Sequence, residues 1–217
     1  MSAAAISAGR FLTMEGIEGV GKSTQVARLS AALLDKGIAH VVTREPGGTA
    51  LAEKIRDVVL TAGEETLPAT AELLLMFAAR AVHLKNLVEP NLRAGRWVIC
   101  DRFTDATYAY QGGGRGLPAE QIRDLETMVQ GALRPDITIL LDAPVASALA
   151  RARSRNAGAA PDRFEREKAA FFERVRNAYL ARAAAHPDRI AVVDATRSED
   201  EVGARILAQL VRRTWIS

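Results

Sequence analysis

Five short runs rich in Val, Ile and Leu recur along the chain, separated by longer stretches in which apolar residues return every three or four positions. The runs are "FLTME" (11–15), "HVVTR" (40–44), "WVICD" (97–101), "ITILLD" (137–142) and "IAVVD" (190–194). They lack the polar alternation of half-exposed strands, as strands buried on both faces do. Between them the spacing predicts helices. Lys22 to Lys36 carries Val26, Leu29 and Leu33 on one stripe and stops at Gly37. Others run roughly from Ala71 to Ala94, Pro118 to Leu133, Pro144 to Arg153, Phe164 to His186 and Ser198 to Arg213. Alternating strands and helices predict an α/β fold: a doubly wound, five-stranded parallel sheet with helices on both faces. Ligands in such folds bind beyond the carboxyl ends of the strands.

Three segments break the regularity and read as loops: "REPGGT" (44–49), "YQGGGRG" (110–116) and "SRNAGAAPDR" (154–163). No internal repeat or long linker interrupts the 217 residues, so the expectation is one domain over 1–217, with a lid at about 151–163 inside it.

The first run leads into "GIEGVGKS" (16–23), where Gly16, Gly21, Lys22 and Ser23 complete G-x-x-x-x-G-K-[ST]. Glycines there let backbone N–H groups turn inward onto phosphate oxygens, and the following helix adds the positive end of its dipole. Lys22 would reach the β- and γ-phosphates and the Ser23 hydroxyl would ligate Mg²⁺. The strand before and the helix after are the context this motif requires, so a chance glycine turn is the weaker reading. Gly16, Ile17, Glu18, Gly19, Val20, Gly21, Lys22, Ser23 and Thr24 are accordingly the candidate nucleotide-binding residues.

Composition narrows this little. Apolar residues make up 48% and charged residues 25%, an ordinary globular balance, and the net charge is +3 without a continuous Lys/Arg tract of the kind nucleic-acid arms carry. A lone cysteine, Cys100, excludes an intrachain disulfide and a cysteine metal cluster, and fits a reducing, cytoplasmic setting. No apolar run reaches eighteen residues, and the opening "MSAAAISAGR" lacks the basic start of a secretion signal, so no membrane association is expected.

A phosphate loop serves switches, motors and kinases alike. The N-K-x-D tetrad of guanine-specific switches is absent, and two features favour a kinase. "VICDRF" sets Asp101 and Arg102 at the carboxyl end of a central strand, where Asp101 would orient Mg²⁺ through water and Arg102 would grip an acceptor phosphate. "ARARSRNAGAAPDR" carries Arg151, Arg153 and Arg155 into the third loop, where flexible chain would let them converge on a transferring phosphoryl group. The alternatives are a surface ion pair and a solvated helix face.

Together with "EGIEGVGKST" (15–24), the strings "TREPGGT" (43–49), "LMFAARAVHL" (75–84), "CDRF" (100–103), "YAYQGGGRG" (108–116) and "RPDITILLD" (134–142) run nearly the length of the chain. In this order and spacing the chain resembles the thymidylate kinases. Gly19 stands where some members carry an arginine, so the likeness is to the bacterial type with its basic residues in the lid. The resemblance implies transfer of a phosphoryl group from ATP to dTMP, with Mg²⁺, in a homodimer. It implies Lys22, Arg102, Arg153 and Arg155 as catalytic residues, and Ser23 and Asp101 at the metal. For dTMP it implies Glu18 at the 3′-hydroxyl, Arg44 and Arg102 at the phosphate, Phe77 stacked on thymine, Arg80, Thr107 and Gln111 on the base, and Tyr110 against the sugar. Phe77 in so apolar a helix also reads as core, and His83 is expected to be packed rather than catalytic. The rival readings are a kinase for another small acceptor and a phosphate-loop ATPase or switch.

Overall fold

Each apolar run forms a strand in the computed structural model, which describes residues 9–61, 65–155 and 162–216. The strands are β1 Phe11–Glu15, β2 His40–Arg44, β3 Trp97–Asp101, β4 Ile137–Asp142 and β5 Ile190–Asp194. They pair in parallel in the order β2-β3-β1-β4-β5. β1 and β3 bury all but one of their side chains, because helices cover both faces. The register sets Met14 beside Asp101, Arg44 beside Asp101 and Glu15 beside Leu140. Glu15, Arg44 and Asp101 therefore end at one rim, and the phosphate loop leaves from the middle strand of that rim.

The helices are α1 Lys22–Asp35, α2 Ala50–Thr61, α3 Ala69–His83, α4 Glu89–Arg93, α5 Thr104–Thr107, α6 Ala119–Gln130, α7 Val145–Arg155, α8 Ala169–Ala185 and α9 Glu199–Arg212. Most lie within a few residues of their predicted places. α9 begins on a capping box, the Ser198 hydroxyl accepting from the Glu201 N–H while the Glu201 carboxylate accepts from the Ser198 N–H. The long helix expected from Ala71 is α3 and α4 joined by a π-helical turn, Leu84–Val88. Pro90 lacks the N–H that would continue a regular ladder through this turn. Phe164 to Lys168 forms a turn before α8 rather than its first residues.

Two further segments differ from expectation. α2, left unassigned in the sequence, buries Ala52 and Val59 against the neighbouring structure. The "YQGGGRG" segment is helical: α5 continues into a π-helical stretch, Tyr108–Gly114. Its glycines serve packing. A Cβ at Gly113 would lie 2.5 Å from Ala178 Cβ, and one at Gly114 would lie 2.5 Å from the Phe171 ring, both on α8. The glycines allow the two helices to touch.

Candidate active site

The phosphate loop is anchored from beneath. Ile17 and Val20 are buried in the main core, which leaves the loop's backbone facing outward from the rim. Gly19 approaches the chain so closely that a Cβ would overlap the Ala148 carbonyl, and Gly21 holds φ 95 as α1 begins. Ser23 is exposed and Thr24 half-buried on the first turn of α1. Lys22 is buried and folds back, its Nζ donating to the carbonyl oxygens of Gly16 (3.0 Å) and Ile17 (2.9 Å). Burial first, then the charge of Arg102, lower its pKa to about 8.

Arg102 follows β3 with φ 71, a left-handed backbone uncommon for a side-chain-bearing residue. Its Nη1 donates to the same Gly16 carbonyl oxygen at 2.9 Å, and its Nη2 to Glu18 Oε1 at 2.8 Å. The Tyr110 hydroxyl donates to Glu18 Oε2 at 2.6 Å, and the Arg102 guanidinium lies over the Tyr110 ring. Burial alone would raise the pKa of Glu18, but the Arg102 and Lys22 charges and the Tyr110 hydrogen bond hold it below the usual carboxylate value. Asp101 Oδ1 is buried without a hydrogen-bond partner among the described residues.

Beside this cluster opens a cavity whose wall includes Glu18, Arg80, Arg102, Thr107, Tyr110 and Gln111. Arg80 is buried on α3, with Nε on Glu45 Oε2 (2.7 Å) and Nη2 on Thr107 Oγ1 (2.9 Å). Its Nη1 is buried with no partner among the described residues, a donor left for a ligand. Glu45 is itself held by His83 Nδ1 at 2.8 Å, and His83 Nε2 meets Thr43 Oγ1 at 2.7 Å, so His83 is packed and hydrogen-bonded as expected. Arg80 and His83 overcome the effect of burial and hold Glu45 below the usual carboxylate value.

Two of the expected dTMP residues stand outside the wall of this cavity. Phe77 does not line the cavity: it is buried with Leu73 and Ile122, and the Arg80 guanidinium covers its ring at 4.7 Å. Met76, one residue earlier and so turned by roughly 100° about the helix, lines the cavity instead. Arg44 is exposed, paired with Glu53 at 2.9 Å, and is not part of the wall. Arg56 from α2 is, with its Nη1 on the Pro46 carbonyl oxygen at 2.8 Å. An arginine in "EKIRD" reads as a surface charge, and only the fold reveals that α2 turns it inward. Glu45 was missed for a similar reason, as an acid within a turn string.

Arg153 is exposed near the end of α7, and Arg151 Nη1 donates to the Ala195 carbonyl oxygen at 3.2 Å. The side chain of Arg155 and the lid residues 156–161 lie outside the described residues. Where the description resumes, Arg163 binds the end of α2, its Nε donating to the Val59 carbonyl oxygen at 3.0 Å.

Two cation-bearing segments thus meet at one carbonyl, with a cavity carrying a free guanidinium donor beside them. Against known proteins, the family model described as thymidylate kinase matches residues 14–206. The chain belongs to the thymidylate kinase family. It is 58% identical to a thymidylate kinase of Chromohalobacter salexigens over 94% of this chain and 96% of that one. It is 56% identical to one from Bordetella petrii over 93% and 95%. A crystal structure of thymidylate kinase from Ehrlichia chaffeensis superposes with a TM-score of 0.75 at 30% identity, covering 93% of this chain and 98% of that one. As a thymidylate kinase family member the chain is a phosphotransferase with the nucleoside monophosphate kinase fold. Among the described residues, no helix is long and apolar enough to cross a membrane.

Proposed function

We propose that this kinase transfers the γ-phosphoryl group of ATP to dTMP, giving ADP and dTDP for dTTP synthesis. The observation that carries the reading is the shared acceptor: Lys22 and Arg102 both donate to the Gly16 carbonyl oxygen, so donor and acceptor phosphates would meet there. The N–H groups of residues 16–24 and Lys22 hold the donor phosphates, whose negative charge would raise the pKa of Lys22 and keep it protonated. Arg102 and Arg56 hold the acceptor phosphate, with Arg44 at the outer edge. Glu18 receives the 3′-hydroxyl through its remaining lone pairs, and Tyr110 packs against the sugar.

A phosphate oxygen of dTMP forms the new bond to the γ-phosphorus while the bond to the bridging oxygen breaks, and that electron pair leaves with ADP. The attacking oxygen is already anionic, so no side chain serves as a strong base. Alignment and charge neutralisation supply the rate. Ser23 and Asp101 would hold Mg²⁺, and the unpartnered buried Asp101 Oδ1 suits that task. Bound there, the ion would neutralise charge on the β- and γ-phosphates. Arg153 and Arg155 would neutralise charge on the transferring group from the lid at 151–163, within one kinase domain spanning 1–217.

For the base, Arg80 Nη1 offers a donor to a ring carbonyl, with Thr107 and Gln111 beside it. Met76 takes the place against the ring first given to Phe77, and Phe77 supports Arg80 from below. We also propose a homodimer. α2 and α3 pack together, and they expose Leu51, Val58 and Leu74 to about half of their full extent.

The test is ADP release from ATP with dTMP, dUMP, dCMP, dGMP or no acceptor. dTMP is expected to drive the fastest turnover, with little release in its absence. Acceptor-independent hydrolysis unaffected by dTMP would point to an ATPase or switch, and a stronger response to another monophosphate would reassign the acceptor.

A further inference from the structure

Glu72, on α3, has a side chain that is fully buried and does not line the cavity. A carboxylate so placed needs compensation. It has two cationic partners, Arg115 (Nε to Oε2, 3.2 Å) and Arg163, whose Nη2 meets the same oxygen. Arg115 is in turn paired with Glu167, and both arginines lie over the Phe164 ring. The other carboxylate oxygen, Oε1, accepts a hydrogen bond of 2.6 Å from Gln111 Nε2.

That last bond has a consequence for the cavity. An ionised carboxylate only accepts, so the face of the Gln111 amide turned to Glu72 must be its NH₂. The amide oxygen is then the atom left for the cavity that Gln111 lines. Arg80 Nη1, without a partner among the described residues, sets a donor beside that acceptor in this part of the wall. Thymine offers the complementary edge, a carbonyl oxygen at position 4 and an N–H at position 3. Cytosine offers an amino group and a bare ring nitrogen, which oppose both. Were the Gln111 amide free to turn over, the second half of that discrimination would vanish.

We infer that Glu72 is a specificity-determining positioning residue: it fixes the Gln111 amide with its oxygen toward the base, so that the pocket accepts a ring N–H and rejects a ring nitrogen lone pair. Arg115 and Arg163 hold the Glu72 carboxylate in place. The inference rests on the proposed dTMP-kinase reading, in which Gln111 contacts the base.

The experiment compares kcat/KM for dTMP and for 5-methyl-dCMP, which differ only on that edge of the ring. In Glu72→Gln the facing group is an amide, able to donate or accept, and Gln111 is released. The preference for dTMP is expected to fall about tenfold, the order of one hydrogen bond to a charged group. It falls through a higher KM for dTMP together with better use of 5-methyl-dCMP. In a Gln111→Ala background, where preference is already reduced, Glu72→Gln is expected to change the ratio no further. Glu72→Asp, which keeps the charge for the arginines but withdraws the carboxylate from Gln111, is the second variant if Glu72→Gln fails to fold. It is expected to lose preference in the same direction. A merely structural role would lower activity on both substrates together. An unchanged ratio in the variants, or an equal further loss in the Gln111→Ala background, overturns the inference. If the unmodified enzyme shows no preference for dTMP, the acceptor assignment itself fails, and the role of Glu72 with it.

Discussion

Arg102 occupies a backbone conformation that costs on the order of 1 kcal/mol for a residue with a side chain, and its neighbours show how the cost is offset. Its N–H donates to the Met14 carbonyl oxygen at 3.0 Å, and the next N–H, of Phe103, donates to Glu15 Oε1 at 2.7 Å. The Tyr179 hydroxyl donates to Glu15 Oε2 at 2.7 Å while receiving Arg102 Nη1 at 3.2 Å. Glu15 is therefore the buried acid beneath the strained turn. Burial first, and then the charge of Asp105, raise its pKa to about 7 against these hydrogen bonds. Because the folded-state value lies above the unfolded one, folded Glu15 keeps its proton where the unfolded chain has lost it. Its contribution to stability is complete below pH 4.5 and is lost as pH rises to about 7. Asp105, lowered to about 2 because Arg189 and Arg182 overcome its burial, acts in the opposite sense but only in more acid solution. Glu15→Gln should remove the first effect. Relative to that variant, the unmodified protein is expected to lose roughly 2–3 kcal/mol between pH 5 and pH 7.5. Urea unfolding of both proteins at the two pH values measures this, and parallel stability changes would refute it.

At the level of elements, the helix from Thr104 through Gly114 carries three of the proposed dTMP contacts, Thr107, Tyr110 and Gln111. Its contact with α8 sets how far those side chains reach into the cavity. None of its glycines has a positive φ, so alanine adds no backbone strain, and space alone decides the outcome. At Gly112 the nearest atom is the end of the Ile122 side chain, 3.2 Å away, which can give. At Gly114 it is the Phe171 ring at 2.5 Å, with Val175 at 3.0 Å. Gly112→Ala is expected to be neutral or slightly stabilising, since alanine favours helix. Gly114→Ala should cost about 1–3 kcal/mol through overpacking and raise KM for dTMP. Thermal melts and steady-state kinetics on both variants separate the two, and equal behaviour would remove the packing argument. The same contrast explains what the sequence could reveal. Strands buried on both faces announce themselves as apolar runs, and the phosphate loop by its glycine spacing. A glycine that admits a neighbouring helix looks like a turn, because the neighbour, Phe171 for Gly114 and Ala178 for Gly113, is far away in sequence. Glu45 and Glu72 look like surface charges until the fold buries them, and Arg56 looks like one until α2 turns it toward the cavity. Phe77 and Met76 are adjacent apolar letters that only helix rotation distinguishes.

For the whole molecule, the outer face of α2 and α3 is where the chain meets a second copy in the proposed dimer. Leu51 and Val58 are seven residues apart on α2 and so share one side of it, and α3 packed alongside adds Leu74. The same two helices carry Arg56, Glu72, Met76 and Arg80 on their inner sides. A partner pressing on this layer would therefore brace the wall of the acceptor cavity. A stable dimer buries about 800 Å² per partner, more than three side chains supply, so the interface would extend around them. Replacing two central apolar residues by glutamate places charges in a desolvated contact without disturbing either helix's inner face. Leu51→Glu combined with Leu74→Glu is expected to convert a dimer into a 23.4 kDa monomer in sedimentation velocity. Its KM for dTMP should rise more than that for ATP, since the loosened layer lines the acceptor cavity rather than the phosphate loop. An unmodified protein that sediments as a monomer at micromolar concentration would dispose of the dimer. A double variant that remains dimeric would move the contact to another face and leave α2 and α3 to be ordered by the core alone.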